Sequence, residues 1–168
     1  MVLSDEADPA LLLIRRVVRR DDPWSGQVAL PGGFRASDEE ALAETARRET
    51  AEETGLSLDT AGSYCGELDR ISPLASFLPP VVVSAQVYTV PSRLPVTPGV
   101  EAEAALWIAW SRLLDPANRV ALRVEFPDGH REVPAICVGD LQVWGLTERI
   151  IRRLADVLRV AGAGSQPP

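Results

Sequence analysis

Residues 31–56 read PGGFRASDEEALAETARRETAEETGL: a paired-glycine bend, a helix opening, and a run of carboxylates closed by a glycine. Ser37 followed by Glu40 has the spacing of a capping box. Asp38, Glu39 and Glu40 fall in what would be the first turn, where the helix dipole favours negative charge. Gly55 suits the left-handed residue just past a helix end. One helix over 38–54 is therefore predicted, entered through Gly32-Gly33.

That helix carries an unusual load. At about 100° per residue, Glu49, Glu52 and Glu53 share an arc of roughly 100°, and like charges at such spacings repel. Arg48, one turn before Glu52, offsets part of the repulsion. Leu42, Ala43, Ala46 and Thr50 form a narrow packing stripe beside the acids, whereas Glu44, Arg47 and Ala51 point the other way. The carboxylates thus border the buried face, where a solubilising charge face would not lie. Clustered acids in that position call for a counter-charge, and a hard divalent cation taking oxygen ligands supplies it.

Gly33, Glu40, Arg48-Glu49, Glu52-Glu53 and Gly55-Leu56 resemble the Nudix box. Two features set this box apart: six residues, one more than usual, separate Gly33 from Glu40, and Thr50 holds the apolar position. Both are similar to the coenzyme A diphosphatase-like branch. GQVALPGG resembles that branch's approach segment, and 143–151 (VWGLTERII) its C-terminal helix entry. Asp22 stands where the branch carries Arg, Leu30 replaces a Phe, and the first strand of the fold is expected to be truncated or reduced to Met1-Val2-Leu3.

The resemblance implies an α+β fold, a mixed sheet sandwiched between helices. It also implies a metal-dependent hydrolase of a nucleoside diphosphate linked to a moiety X, releasing a nucleotide and phospho-X. A coenzyme A-like diphosphate comes first among substrates, with ADP-ribose or a dinucleotide as competitors. A nucleotide-binding module that has lost turnover is the rival class.

Composition bounds these readings. At 168 residues with 46% hydrophobic and 24% charged residues, the chain is one domain by prior. A net charge of −7 argues against nucleic acid as partner, but not against a polyanionic small ligand, because a bound metal reverses the local field. All 17 basic residues are Arg, which excludes a phosphate-loop lysine and a Schiff-base lysine. The single His130 tells against a His-rich zinc site or a Ser-His-Asp triad. Cys65 and Cys137 are read as two buried, reduced thiols. An acidic start without a long apolar run predicts a cytoplasmic chain and no membrane span.

Strands are predicted at 11–18, 27–30, 64–71, 81–90 (the clearest, and central), 104–110, 120–126 and 132–138. Residues 127–130 form a hairpin signal, 58–61 a connector, and Ser111 a cap for a short helix. A last helix begins near Val143 or Thr147 and runs to about Val160, with Ile150, Ile151, Leu154, Val157 and Leu158 as its apolar stripe. Residues 1–160 form the domain and 161–168 a disordered tail.

Glu49, Glu52 and Glu53 are the expected ligands for Mg²⁺ or Mn²⁺. The resemblance adds the Gly33 carbonyl. Arg48 is grouped with the catalytic residues as the one that orients the glutamates, and Glu40 is structural in the same network. Glu53 is one candidate base, Glu101 or Glu103 the other, and the resemblance favours Glu101. Arg15 and Arg35, with Gly32, are the candidates for substrate contact, since a guanidinium matches phosphate geometry. For Arg15, Arg16, Arg19 and Arg20, surface charge at a strand end is the competing reading. The four tryptophans are read as core or turn anchors. A homodimer is a candidate assembly.

Overall fold

The structure is a computed structural model that describes residues 1–20, 25–38, 40–72, 81–126 and 129–163. In chain order its elements are β1 (Val2–Ser4), β2 (Ala10–Arg16), β3 (Val28–Ala29), α1 (Leu42–Thr54), α2 (Leu58–Ala61), β4 (Ser63–Glu67), β5 (Gln86–Val90), β6 (Ala102–Ala109), α3 (Trp110–Leu114), β7 (Arg119–Phe126), β8 (Gly129–Val138), β9 (Leu141–Trp144) and α4 (Gly145–Ala163). A 3-10 turn, Pro116–Asn118, precedes β7.

The axis of the larger sheet is β2. It pairs along its length with antiparallel β6, from Ala10↔Ala109 to Arg16↔Ala102. Two short strands share its other edge: β1 at the start, through Leu3↔Leu11, and β3 at the end, through Ile14↔Ala29 and Arg15↔Val28. β1 then pairs parallel with β5, and β5 antiparallel with β4. Strands β7, β8 and β9 form a separate antiparallel sheet.

Side-chain alternation explains why β2 is so apolar. Leu11 and Leu13 face a core completed by Val87 of β5, Ile136 and Val143 of the small sheet, and Ile151 and Leu154 of α4. Leu12 faces the opposite core, with Val2, Tyr88, Val90, Leu56 and Leu58, beneath α1 and α2. The strand is buried on both faces, so an unbroken apolar run is what it requires. The expected mixed sheet between helices is thus present, with the small sheet sharing one covering layer with α4.

Several expectations shift. The 81–90 segment is a strand only from Gln86 and Val83 makes an isolated bridge to Ile71, while β5 itself is interior to the sheet, between β1 and β4. β9 occupies residues expected to lead into or begin the last helix, and 58–61 is helical. The short helix begins at Trp110, and Asp8 accepts from the Ser111 hydroxyl at 3.1 Å. α4 continues through Ala163, into the segment expected as tail; 164–168 lie outside the described residues. Val157 and Leu158 are 46% and 47% exposed, so the apolar stripe of α4 is buried only through Ile150, Ile151 and Leu154. Cys65 is exposed, on the edge strand β4, and Cys137 is half-buried. Among the described residues, no helix is long and apolar enough to cross a membrane.

Candidate active site

Helix α1 begins four residues later than its sequence suggested, because Glu40 is used elsewhere. The Glu40 N–H donates to the Ser37 carbonyl at 3.3 Å in a turn, and the Glu44 carboxylate accepts from the Ala41 N–H at 3.2 Å to close the helix entry. The Glu40 carboxylate instead accepts from the Ala36 N–H at 2.6 Å, the Thr45 hydroxyl at 2.9 Å and Arg48 Nε at 3.1 Å. The Arg48 guanidinium, then the Ala36 N–H and Thr45, hold its pKa down at about 2. Glu40 is a staple between loop and helix that is ionised at neutral pH. Glu39 lies outside the described residues.

Arg48 is the hub of the cluster. Its Nη1 donates to Glu49 Oε1 at 2.7 Å and Glu52 Oε2 at 3.2 Å, and its Nη2 to the Phe34 carbonyl at 2.9 Å. The guanidinium therefore orients three carboxylates and the loop behind Gly33, a positioning role; its own pKa is raised by Glu40 and Glu49. The two glycines serve different ends. A Cβ on Gly33 would sit 2.5 Å from Glu49 Oε1, so only glycine lets that carboxylate lie against the backbone. Gly32 donates its N–H to Glu53 Oε2 at 2.9 Å. Thr50, in the box's apolar position, is 1% exposed and returns its hydroxyl to the Ala46 carbonyl at 2.7 Å. A methyl and a satisfied hydroxyl fit there as well as a hydrocarbon.

The far end of α1 is built differently. Glu53 is 3% exposed, with Gly32 as its hydrogen-bond donor and Arg16 Nη1 3.9 Å away. Burial pushes its carboxyl up to about 7; Glu49 and Glu101 push the same way, while the Gly32 N–H and Arg16 pull against them. Gly55, at φ 68°, caps the helix as expected, and its N–H reaches the Ala51 carbonyl at 2.9 Å. The segment before β6 then docks on the remaining carbonyls. Thr97 N–H donates to the Thr54 carbonyl at 2.8 Å and Gly99 N–H to the Glu53 carbonyl at 3.0 Å. A Cβ on Gly99 would fall 1.9 Å from the Glu52 carbonyl oxygen. This docking delivers Glu101 to the neighbourhood of Glu53, where Arg19 Nη1 pairs with it at 3.0 Å. In the sequence Gly99 carries no signal beyond being a glycine near the end of a proline-rich loop.

The remaining candidates lie apart from this cluster. Arg15 projects to the opposite face of β2 from Arg16 and donates to Asp140 Oδ2 at 2.7 Å, with Glu103 acting on it as well. Arg35 bonds the carbonyl and carboxylate of Asp38 at 3.0 and 3.4 Å. Trp107 anchors a turn through Nε1 to the Leu94 carbonyl at 2.8 Å, and Trp110 packs on the core, as expected. Trp144 differs: it lines a cleft of about 370 Å³ with Arg15, Ser25–Val28, Asp140 and Gln142. Asp22 and Trp24 lie outside the described residues.

Among the described residues, no three acidic, cysteine or histidine side chains already converge on one point as an ion would need. Glu49 and Glu52 face Arg48, and Glu53 faces Gly32. The donor set is still that of a hard cation: carboxylate oxygen throughout, with one member buried at an electrostatic cost that a cation would relieve.

The family model of the NUDIX domain matches residues 1–126. The uncharacterized Nudix hydrolase NudL of Yersinia pestis (strain Pestoides F) is 31% identical over 156 residues, covering 91% of this chain and 74% of that protein. An uncharacterized protein of Schizosaccharomyces pombe is 34% identical over 122 residues, 70% of this chain; the match spans only 37% of that relative's length. Among solved structures, the Nudix hydrolase RenU from M. smegmatis superimposes with a TM-score of 0.65, over 95% of this chain and 83% of its own, at 16% identity. The Nudix domain of Shewanella oneidensis NrtR, complexed with ADP-ribose, gives 0.56 over 94% and 83%, at 15% identity. A glycine-entered helix whose acids are gathered by Arg48, on a sheet matched by these folds and a sequence matched by the domain model, places the chain in one lineage: it belongs to the Nudix family.

Proposed function

We propose that this chain is a metal-dependent hydrolase of a nucleoside diphosphate linked to a moiety X, giving a nucleotide and phospho-X. One observation carries the reading: a buried carboxylate, Glu53, held by the Gly32 N–H on the same helix as the Arg48-ordered acids Glu49 and Glu52. Glu49, Glu52 and Glu53, with the Gly33 carbonyl, are the groups that would hold Mg²⁺ or Mn²⁺. When bound, the ion supplies charge neutralisation at the diphosphate oxygens and makes attacking water a better nucleophile.

The protein's own part is positioning and proton handling. Arg48 holds Glu49 and Glu52 in register, and Glu40 fixes Arg48. Glu53 and Glu101 are the two groups suited to take a proton from water. Arg19 Nη1 pairs with Glu101 at 3.0 Å and aligns it. Among substrates, a coenzyme A-like diphosphate comes first, on the approach segment 26–33, and ADP-ribose or a dinucleotide next.

The test is a panel of diphosphates, comprising coenzyme A, its 3′-dephospho form, ADP-ribose and a diadenosine polyphosphate, incubated with Mg²⁺ or Mn²⁺ and with chelator. Cleavage at the diphosphate that chelator abolishes is expected. Tight binding with no cleavage of any member would instead identify a nucleotide-binding module without turnover.

A further inference from the structure

The cleft on the other face of β2 has no part in the metal chemistry, yet it adjoins it. Arg15 and Arg16 are consecutive: Arg16 approaches Glu53 at 3.9 Å, while Arg15 lines the cleft. Val28, paired with Arg15, lines the cleft too, and four residues later Gly32 donates to Glu53. Extended chain advances about 3.3 Å per residue, so the backbone of Val28 in the cleft wall lies within roughly 13 Å of that of Gly32, which touches Glu53. That is within the length of one extended nucleotide.

The lining suits the uncharged part of such a ligand. Trp144 is half-buried and held edge-on by Phe126, with ring centroids 6.1 Å apart at 88°. Its indole offers a fixed surface for a flat heterocycle. Gln27 and Gln142 contribute amides, and Ser25 a hydroxyl. Among the described residues of the lining the one guanidinium is Arg15, which is bonded to Asp140 at 2.7 Å and lies in the field of Glu103, so these residues offer no net positive charge to a phosphate. A carboxylate facing ribose hydroxyls selects a free diol, and a guanidinium released from it accepts a ribose phosphate.

We propose that this cleft seats the ribose and base of the substrate, and that Asp140, by occupying Arg15, makes the chain prefer nucleosides without an extra phosphate on the ribose. The inference rests on the reading above that the substrate is a nucleoside diphosphate. Among coenzyme A-like diphosphates it favours the form lacking the 3′-phosphate.

Equilibrium binding in chelator separates this from turnover. The probes are adenosine 5′-monophosphate, adenosine 2′,5′-bisphosphate and adenosine 3′,5′-bisphosphate. Wild type should bind the monophosphate at least as tightly as either bisphosphate. Asp140→Asn should shift the ratio towards a bisphosphate by about fivefold, the scale of an exposed charge pair, and Asp140→Asn with Arg15→Ala should lose that gain. A ratio unmoved by Asp140→Asn, a gain that survives loss of Arg15, or no binding of any probe at millimolar concentration would overturn the proposal. If the binding ratio shifts as expected while the diphosphate panel goes uncleaved, the cleft stands and the hydrolase reading falls.

Discussion

The two ends of helix α1 treat the same side chain in opposite ways. Before its first turn, Glu40 receives an N–H, a hydroxyl and a guanidinium and is held at a pKa of about 2. In its last turn, Glu53 is buried with one N–H and a guanidinium at 3.9 Å, and its carboxyl rises to about 7. Donors stabilise a carboxylate's charge and burial penalises it; which wins depends on how many donors burial leaves in reach. The first glutamate is thereby a fixed strut, and the second can carry or release a proton near neutrality. The Arg48 cluster lies between them and keeps the two environments apart.

The largest expected effect comes from removing the working end. Glu53→Gln and Glu52→Gln should each lower kcat by about two orders of magnitude or more with the fold intact, because a ligand or base is lost while like-charge repulsion is relieved. Steady-state rates with Mg²⁺, alongside circular dichroism, measure this. Near-normal turnover in either variant would remove that residue from the site.

Breaking the hub should come next. Arg48→Ala strands Glu40, Glu49 and Glu52 together and leaves the Phe34 carbonyl without its donor. The cost should be on the order of 2–3 kcal/mol in urea unfolding, between the values for exposed and buried pairs. Arg48→Lys should recover little of it, since one ammonium cannot span the four acceptors.

The contrast in pKa predicts a contrast in pH dependence. Glu53 sits above the ordinary carboxylate value of 4.5, so its folded form favours the proton. Stability from that preference is complete below about 4.5 and is lost as pH rises through about 7. In chelator, Glu53→Gln should match wild type near pH 4.5 and exceed it by on the order of 2 kcal/mol at pH 8. Glu40 has the opposite sign: its contribution is present above 4.5 and lost as pH falls towards 2, so Glu40→Gln should hurt at neutrality and cease to matter in acid. Urea midpoints measured across pH test both, and parallel curves for the two variants would erase the distinction.

The smallest effect separates the two bases. Glu101→Gln should cost about tenfold in kcat with Mg²⁺ affinity unchanged, because Glu101 acts beside Glu53 from an exposed pair with Arg19. Glu103→Gln should cost less still, since Glu103 acts on Arg15. Loss of metal affinity in Glu101→Gln would move that residue among the ligands.

The helix and its cluster of acids were legible in the sequence because they are local. Glu49, Glu52 and Glu53 share a face by helical periodicity alone, Gly55 stops the helix through its own backbone freedom, and the LLLI run is apolar enough to announce a strand, though not that both of its faces are buried. Three things were decided by tertiary structure. Glu40 left the helix because Ala36, Thr45 and Arg48 together offered its carboxylate more donors than a first turn would. Gly99 mattered because the 91–100 loop folds back onto the end of α1, more than forty residues earlier, and no local spacing encodes that approach. The partition of Arg15 from Arg16 followed from strand alternation, but what each one meets, Asp140 on one face and Glu53 on the other, was fixed only when β9 and α1 packed on opposite sides of β2. Periodicity tells a residue which way to point; packing decides what is there to receive it.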